Sequence, residues 1–165
     1  MRILGFLGSL LLALGVLAPA TAQAQGAGLS FSGLDAVRGQ PIEIRSDSLQ
    51  VDNTTGETVF SGNAVLGQGE MRLAAPLIRI IYDARGDNRI QRLEASGGVT
   101  LVTAEEAAEA ANAVYEIEAG TVSMRGSVIL TQGPNVLSGD RLFVNLRTGQ
   151  GQMEGNVRTI IQTNP

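Results

Sequence analysis

Arg125-Gly126-Ser127-Val128-Ile129-Leu130 is the stretch whose reading decides the fold. A glycine is followed two residues later by a β-branched residue, and the next alternate position is a leucine. The same pattern recurs along the chain: Gly62-x-Ala64, Gly97-x-Val99 and Gly155-x-Val157. The last three glycines are spaced 29 residues apart, at 97, 126 and 155. Leu66, Leu101 and Leu130 occupy the next alternate position in three copies, so one strand face is apolar each time. Repeated glycines inside strands suit bends or bulges at the corners of a folded-over sheet.

Between these copies run returning strands around Leu49, Leu77, Tyr115 and Leu142. Each unit reads as one layer of antiparallel hairpins stacked on the last. Every layer buries its apolar stripe only because its neighbours cover it, so a shared interior runs lengthwise. The end strands keep unpaired N–H and C=O groups, which are either capped or used to dock another sheet. The expectation is an all-β protein, an open (semi-closed) antiparallel β-jelly-roll with an apolar groove.

The flanking sequence agrees. Ile42-Glu43-Ile44 and Leu49-Gln50-Val51 alternate, Asp52-Asn53-Thr54-Thr55-Gly56 is turn chemistry, and Thr58–Phe60 resumes as strand. Ala104–Ala113 favours helix by local propensity, with six alanines and three glutamates. It lacks an apolar face and runs into Tyr115-Glu116-Ile117, so it reads as a loop or short turn leading into a strand. Its glutamates read as a solvated face. Residues 25–40 are rich in Gly, Ala and Ser and read as a flexible leader that orders on binding.

At the N-terminus, Arg2 precedes an apolar run from Ile3 to Leu17, and Ala22-Gln23-Ala24 fits a signal-peptidase site. Residues 1–24 read as a cleavable signal peptide, residues 25–40 as the leader, and residues 41–162 as one β-domain. The apolar run also approaches the length of a short membrane anchor. Export places the domain in the periplasm.

Composition excludes several classes. The chain has no cysteine and no histidine, and all its basic residues are arginine. That removes the usual general base, the usual zinc ligands, the Ser-His-Asp and Cys-His arrangements, and any catalytic lysine. No enzyme, catalytic residue, metal or cofactor is expected. After loss of the signal, 11 basic residues face 16 acidic ones, and aromatic residues are 4% of the chain. Such a surface neither neutralises phosphate backbones nor stacks bases, so nucleic acid is not an expected partner.

Several segments carry a family likeness: Gln40-Pro41-Ile42-Glu43-Ile44-Arg45-Ser46-Asp47, Phe60-Ser61-Gly62-Asn63-Ala64-Val65, Tyr115-Glu116, Arg125–Leu130 and Leu137-Ser138-Gly139-Asp140. In order and spacing they resemble the lipopolysaccharide-transport protein A family (LptA, with its OstA-like domain). The resemblance covers roughly residues 40–157. It implies a periplasmic lipopolysaccharide-binding protein that shields the acyl chains of lipid A and bridges inner and outer membranes. It also implies LptC-like and LptD-like β-jelly-roll partners at the two membranes, and head-to-tail homo-oligomers. The chain departs from the enterobacterial pattern in lacking lysine and in its short tail after Ile161.

Exposing about twenty methylenes costs roughly 16 kcal/mol at about 0.8 kcal/mol each, so a lipid carrier must cover acyl chains with apolar side chains. Ile42 and Ile44 match groove-lining positions of the family. Leu49, Val51, Phe60, Met71, Leu73, Tyr115 and Ile117 are further lipid-contact candidates, on strands whose apolar side faces the interior. Ordinary core packing explains each equally well. Arg45, Arg72 and Arg79 are candidates for lipid A phosphates, against solvated strand faces. Asp47 reads as a turn cap. Glu116 and Glu118 share a strand face as a glycosidase pair does, but no pocket signature accompanies them. Two other readings stand beside the carrier: a membrane-anchored, LptC-like relative of the same fold, and a structural envelope β-repeat protein.

Overall fold

A computed structural model describes residues 27–37, 39–83 and 89–163. The signal peptide assigned to residues 1–24 lies outside the described residues. In chain order the elements are β1 (Ala27–Ser30), a short 3-10 helix (Leu34–Val37), β2 (Glu43–Arg45), β3 (Ser48–Asp52) and β4 (Glu57–Gln68). There follow β5 (Met71–Tyr82), β6 (Ile90–Val102), β7 (Glu106–Glu116), β8 (Thr121–Gln132), β9 (Asn135–Asn145), β10 (Gln150–Glu154) and β11 (Arg158–Ile160). They form one 11-stranded antiparallel sheet ordered β1-β10-β9-β8-β7-β6-β5-β4-β2, with β3 also on β4 and β11 also on β9. This is the open jelly-roll that the glycine spacing predicts.

The glycine copies explain how the sheet folds over. Each is followed by a second residue with positive φ: Gly62-Asn63, Gly97-Gly98, Gly126-Ser127 and Gly155-Asn156. Two left-handed residues in a row put an extra residue into the strand, and the first three pairs each stand opposite a single residue of the neighbouring strand. Register shifts at Ser61/Ala64, Ser96/Val99 and Arg125/Val128 record those bulges. Glycine suits the first position because a β-carbon there is strained and also blocked: at Gly126 it would lie 2.7 Å from the Ala111 methyl. The corners line up as one crease across the sheet.

The bulges also keep one face inward along the whole strand. In β5 the buried residues are Met71, Leu73 and Ala75, then Ile78 and Ile80, so the alternation steps by three at the crease. In β8 they are Val122 and Met124, then Val128 and Leu130, a step of four. The apolar faces of both halves therefore meet in one core.

Two expectations need correction. Glu106–Glu116 is strand throughout, not a loop leading into one. Ladders on both sides, to β6 and β8, satisfy its backbone, and this outweighs alanine's helix propensity. Ala108, Ala110 and Ala113 are buried, and Glu106 is buried too rather than part of a solvated face. The leader is the second correction. From Ala27 it belongs to the fold: β1 pairs with β10, and Phe31, Leu34 and Val37 sit in the core. Leu34 and Val37 are one turn apart in the 3-10 helix and so share its inward face, while Phe31 enters the core from the strand end before Gly33.

Candidate functional site

Opposite the crease the folded sheet is open, and its two lips are made of hairpin turns. One lip carries the turns at Gln68–Met71, Thr103–Glu106 and Gln132–Asn135. The other carries those at Asp52–Glu57, Glu116–Thr121 and Asn145–Gln150. The N-terminal segment lies between them. The Phe31 amide donates to the Gly149 carbonyl (2.6 Å) and the Ser32 amide to Glu106 Oε1 (3.1 Å). Gln132 Nε2 donates to the Ser30 carbonyl (2.8 Å) and Gln68 Nε2 to the Gln40 carbonyl (3.0 Å). The segment is thus tied to both lips and covers the flank.

Where the cover ends, a cavity of about 490 Å³ opens between the lips. Val37, Ile42, Ile90, Tyr115, Ile117 and Leu146 give it apolar walls, and Gln68, Glu118 and Arg147 give it a polar rim. Tyr115 is buried, and its hydroxyl donates to Gln68 Oε1 (2.8 Å), linking the two halves of the sheet. Burial raises the Tyr115 phenol above its ordinary value, against the opposing effect of that hydrogen bond. Arg147 is held at the rim by donation to the Glu118 carbonyl. The mouth thus combines an apolar interior with a charged and polar lip.

The nine candidate residues divide by position. Ile42, Tyr115 and Ile117 come together in this mouth. Ile44 and Phe60 are half-buried against the core on β2 and β4. Met71 and Leu73 are core residues, 0% and 2% exposed, with no access to an opening. Leu49 and Val51, each 55% exposed, project from the edge strand β3. A period of two marks which residues share a face, but it does not tell the middle of a strand from its end.

The charged candidates lie elsewhere. Arg45 pairs with Glu43 (2.8 Å) on the exposed edge, and Arg79 lies between Glu57 and Glu94. Arg72 donates to the Met71 carbonyl (2.8 Å) and shares a shallow outer pocket with Arg45. Asp47 caps the first crease corner as expected: its amide donates to the Gly62 carbonyl (2.9 Å), and its carboxylate accepts from Asn63 (2.8 Å). Asp140 repeats the arrangement with Gly155 and Asn156 at the other end.

Sequence reading missed Val37, Ile90, Leu146 and Arg147. Their signal was faint, since three of them lie outside the strands. Phe31-x-x-Leu34-x-x-Val37, apolar at every third position within a Gly- and Ser-rich stretch, was the legible sign of the covering segment.

Comparison with known proteins agrees with this architecture. A lipopolysaccharide export system protein, LptH of Pseudomonas aeruginosa, is 33% identical over 54 residues, 33% of this chain and 31% of that protein. The crystal structure of LptH, described as the LptA-homologous periplasmic component of the lipopolysaccharide transport device, superposes with a TM-score of 0.66 at 17% identity. It covers 76% of this chain and 98% of its own. An uncharacterized protein of Rhizobium meliloti, R00383, is 30% identical over 96% of this chain and 87% of its own length. Residues 43–150 match the family described as "LptA/(LptD N-terminal domain) LPS transport protein", and the chain belongs to that family.

Proposed function

We propose that this protein is a periplasmic, non-enzymatic lipopolysaccharide carrier that shelters lipid A acyl chains between the lips of its folded sheet. The apolar mouth built by Ile42, Tyr115, Ile117 and Leu146 carries the reading. Family membership supports it, as does a chain without histidine, cysteine or lysine. In this reading residues 1–24 are removed on export. The free edges of the sheet then join LptC-like and LptD-like jelly-rolls, or further copies, into a bridge between the membranes.

The test is a photo-crosslinking amino acid at Ile42 or Ile117 in living cells. Capture of lipopolysaccharide at both, with the core position Leu73 silent, is the expected result. A folded protein that captures none at Ile42 and Ile117 overturns the carrier reading.

The apolar run Ile3–Leu17 favours one further reading, a membrane-anchored relative that receives lipid at the inner membrane. N-terminal sequencing of the exported protein separates the two. Gln25 as first residue supports the soluble carrier, and a retained Met1 supports the anchor.

A further inference from the structure

We propose that Leu29–Val37 is a displaceable strap, occupying the part of the trough that acyl chains take and leaving the lips as lipid is loaded. The proposal rests on the carrier reading and adds a moving part to it.

Capacity is the first ground. The mouth holds about 490 Å³, within the roughly 300–1,000 Å³ of ordinary small-ligand pockets, whereas lipid A brings several acyl chains. Behind the mouth the interior is filled, and the filling on the open flank is the strap's own Phe31, Leu34 and Val37. Removing them, with Val37 the strap's own share of the mouth's lining, enlarges the apolar space and leaves the walls carried by the sheet in place.

Attachment is the second ground. The walls are held by continuous ladders from β4 to β9. The strap is anchored through β1, with four paired residues at the sheet edge, Ala27–Ser30, and beyond Ser30 its hydrogen bonds to the lips among the described residues are the isolated ones from Phe31 and Ser32. Gly33 and Gly39, both with positive φ, flank its 3-10 helix and supply points about which it swings. Losing the strap therefore costs the short pairing of β1 with β10 and leaves the ladders from β4 to β9 intact.

The third ground is what lies beneath. Four polar side chains are buried among the described residues: Thr58, Gln68, Thr103 and Glu106. Three of them lie on the lip that the strap covers, and Thr103 and Glu106 bond each other there. Buried polar groups are costly unless hydrogen-bonded, and Glu106 takes one of its bonds from the strap's own Ser32 amide. On a lip that is wet whenever the strap is away, they are ordinary surface residues.

The seat of the strap offers a clean handle. Gly151 has no side chain where the Phe31 ring sits: a β-carbon there would lie 2.3 Å from the ring. Gly151→Val fills that seat, keeps an apolar residue in the core and expels the strap. The opposite variant locks it. Ser30 and Gln150 are direct antiparallel partners, and such pairs lie within disulfide reach, so Ser30→Cys with Gln150→Cys fastens the strap in a chain with no other cysteine.

The experiment measures binding of purified hexa-acylated lipopolysaccharide to the parent protein, to Gly151→Val and to the oxidised cysteine pair. Hydrogen exchange of the Phe31 and Ser32 amides is followed alongside. Binding five- to tenfold tighter in Gly151→Val and correspondingly weaker in the locked form, restored by reductant, is expected. Lipopolysaccharide should speed exchange of the two amides at least tenfold while core amides of β7 and β8 stay protected. If the parent binds lipopolysaccharide but the locked form binds it equally and the two amides stay protected, the strap is a fixed wall and the proposal fails, with the carrier reading intact. If no form binds lipopolysaccharide, including Gly151→Val, both fall.

Discussion

The hydroxyl of Tyr115 donates to Oε1 of Gln68 across 2.8 Å, joining the end of β4 on one lip to the end of β7 on the other. Gln68 passes the link on through its amide to the Gln40 carbonyl, so one buried side chain ties both lips to the segment leading into β2. The apolar mouth is held at its width by this polar chain.

Tyr115→Phe leaves Gln68 Oε1 buried without a donor and should cost about 1–2 kcal/mol in urea denaturation. The same residue sets an alkaline limit. Its phenol is raised in the folded state above the ordinary value of 10.0, so the folded protein holds this proton longer than the unfolded chain. The associated stability is fully present below pH 10 and falls as pH rises from there toward the raised value. Tyr115→Phe should lack that decline; an unchanged alkaline profile in the variant refutes the assignment.

Crease glycines should rank by what surrounds them. Gly98 has positive φ and nothing near a notional β-carbon, so Gly98→Ala should cost only the left-handed penalty, about 1–2 kcal/mol. Gly126→Ala should add about 1–3 kcal/mol of overpacking against Ala111. Equal losses in equilibrium unfolding show that the crease is not tightly packed.

The divided candidate set predicts divided phenotypes. Met71→Ala and Leu73→Ala should each cost roughly 2–5 kcal/mol of stability as cavity-forming core changes. Ile117→Asp, in the mouth, should weaken lipopolysaccharide binding about tenfold or more while destabilising less. Paired thermal melts and binding titrations check the separation, and parallel behaviour of the three variants contradicts it.

Edge residues should govern assembly. Leu49 and Val51 on β3, and Ile160 on β11 with Ile161 just beyond, are exposed apolar side chains at opposite edges of the sheet. Head-to-tail association growing with concentration is expected in sedimentation, and Val51→Lys should suppress it by placing a charge on the edge. A parent protein that stays monomeric at every concentration removes the filament from the carrier reading.

The fold was legible because its cause is local and repeated. Gly62, Gly97, Gly126 and Gly155 stand where the backbone must turn left-handed, and alternation on either side states which face is apolar. The family of the protein followed from the order and spacing of the segments that carry the likeness. The strand Glu106–Glu116 was obscured because alanine's local preference points to helix, and only neighbours on both sides reverse it.

The site was legible in part. Ile42, Tyr115 and Ile117 were within reach of pattern reading, since alternation places them inward. Their meeting with Val37, Ile90 and Leu146 was not, because it depends on how far a fold at the crease brings distant turns together. Sequence alone determined a creased, antiparallel sheet with one apolar face. Tertiary structure alone decided which apolar residues are sealed, which line an opening and which segment covers it, because burial is set by the neighbours a residue acquires on folding and not by its place in an alternation.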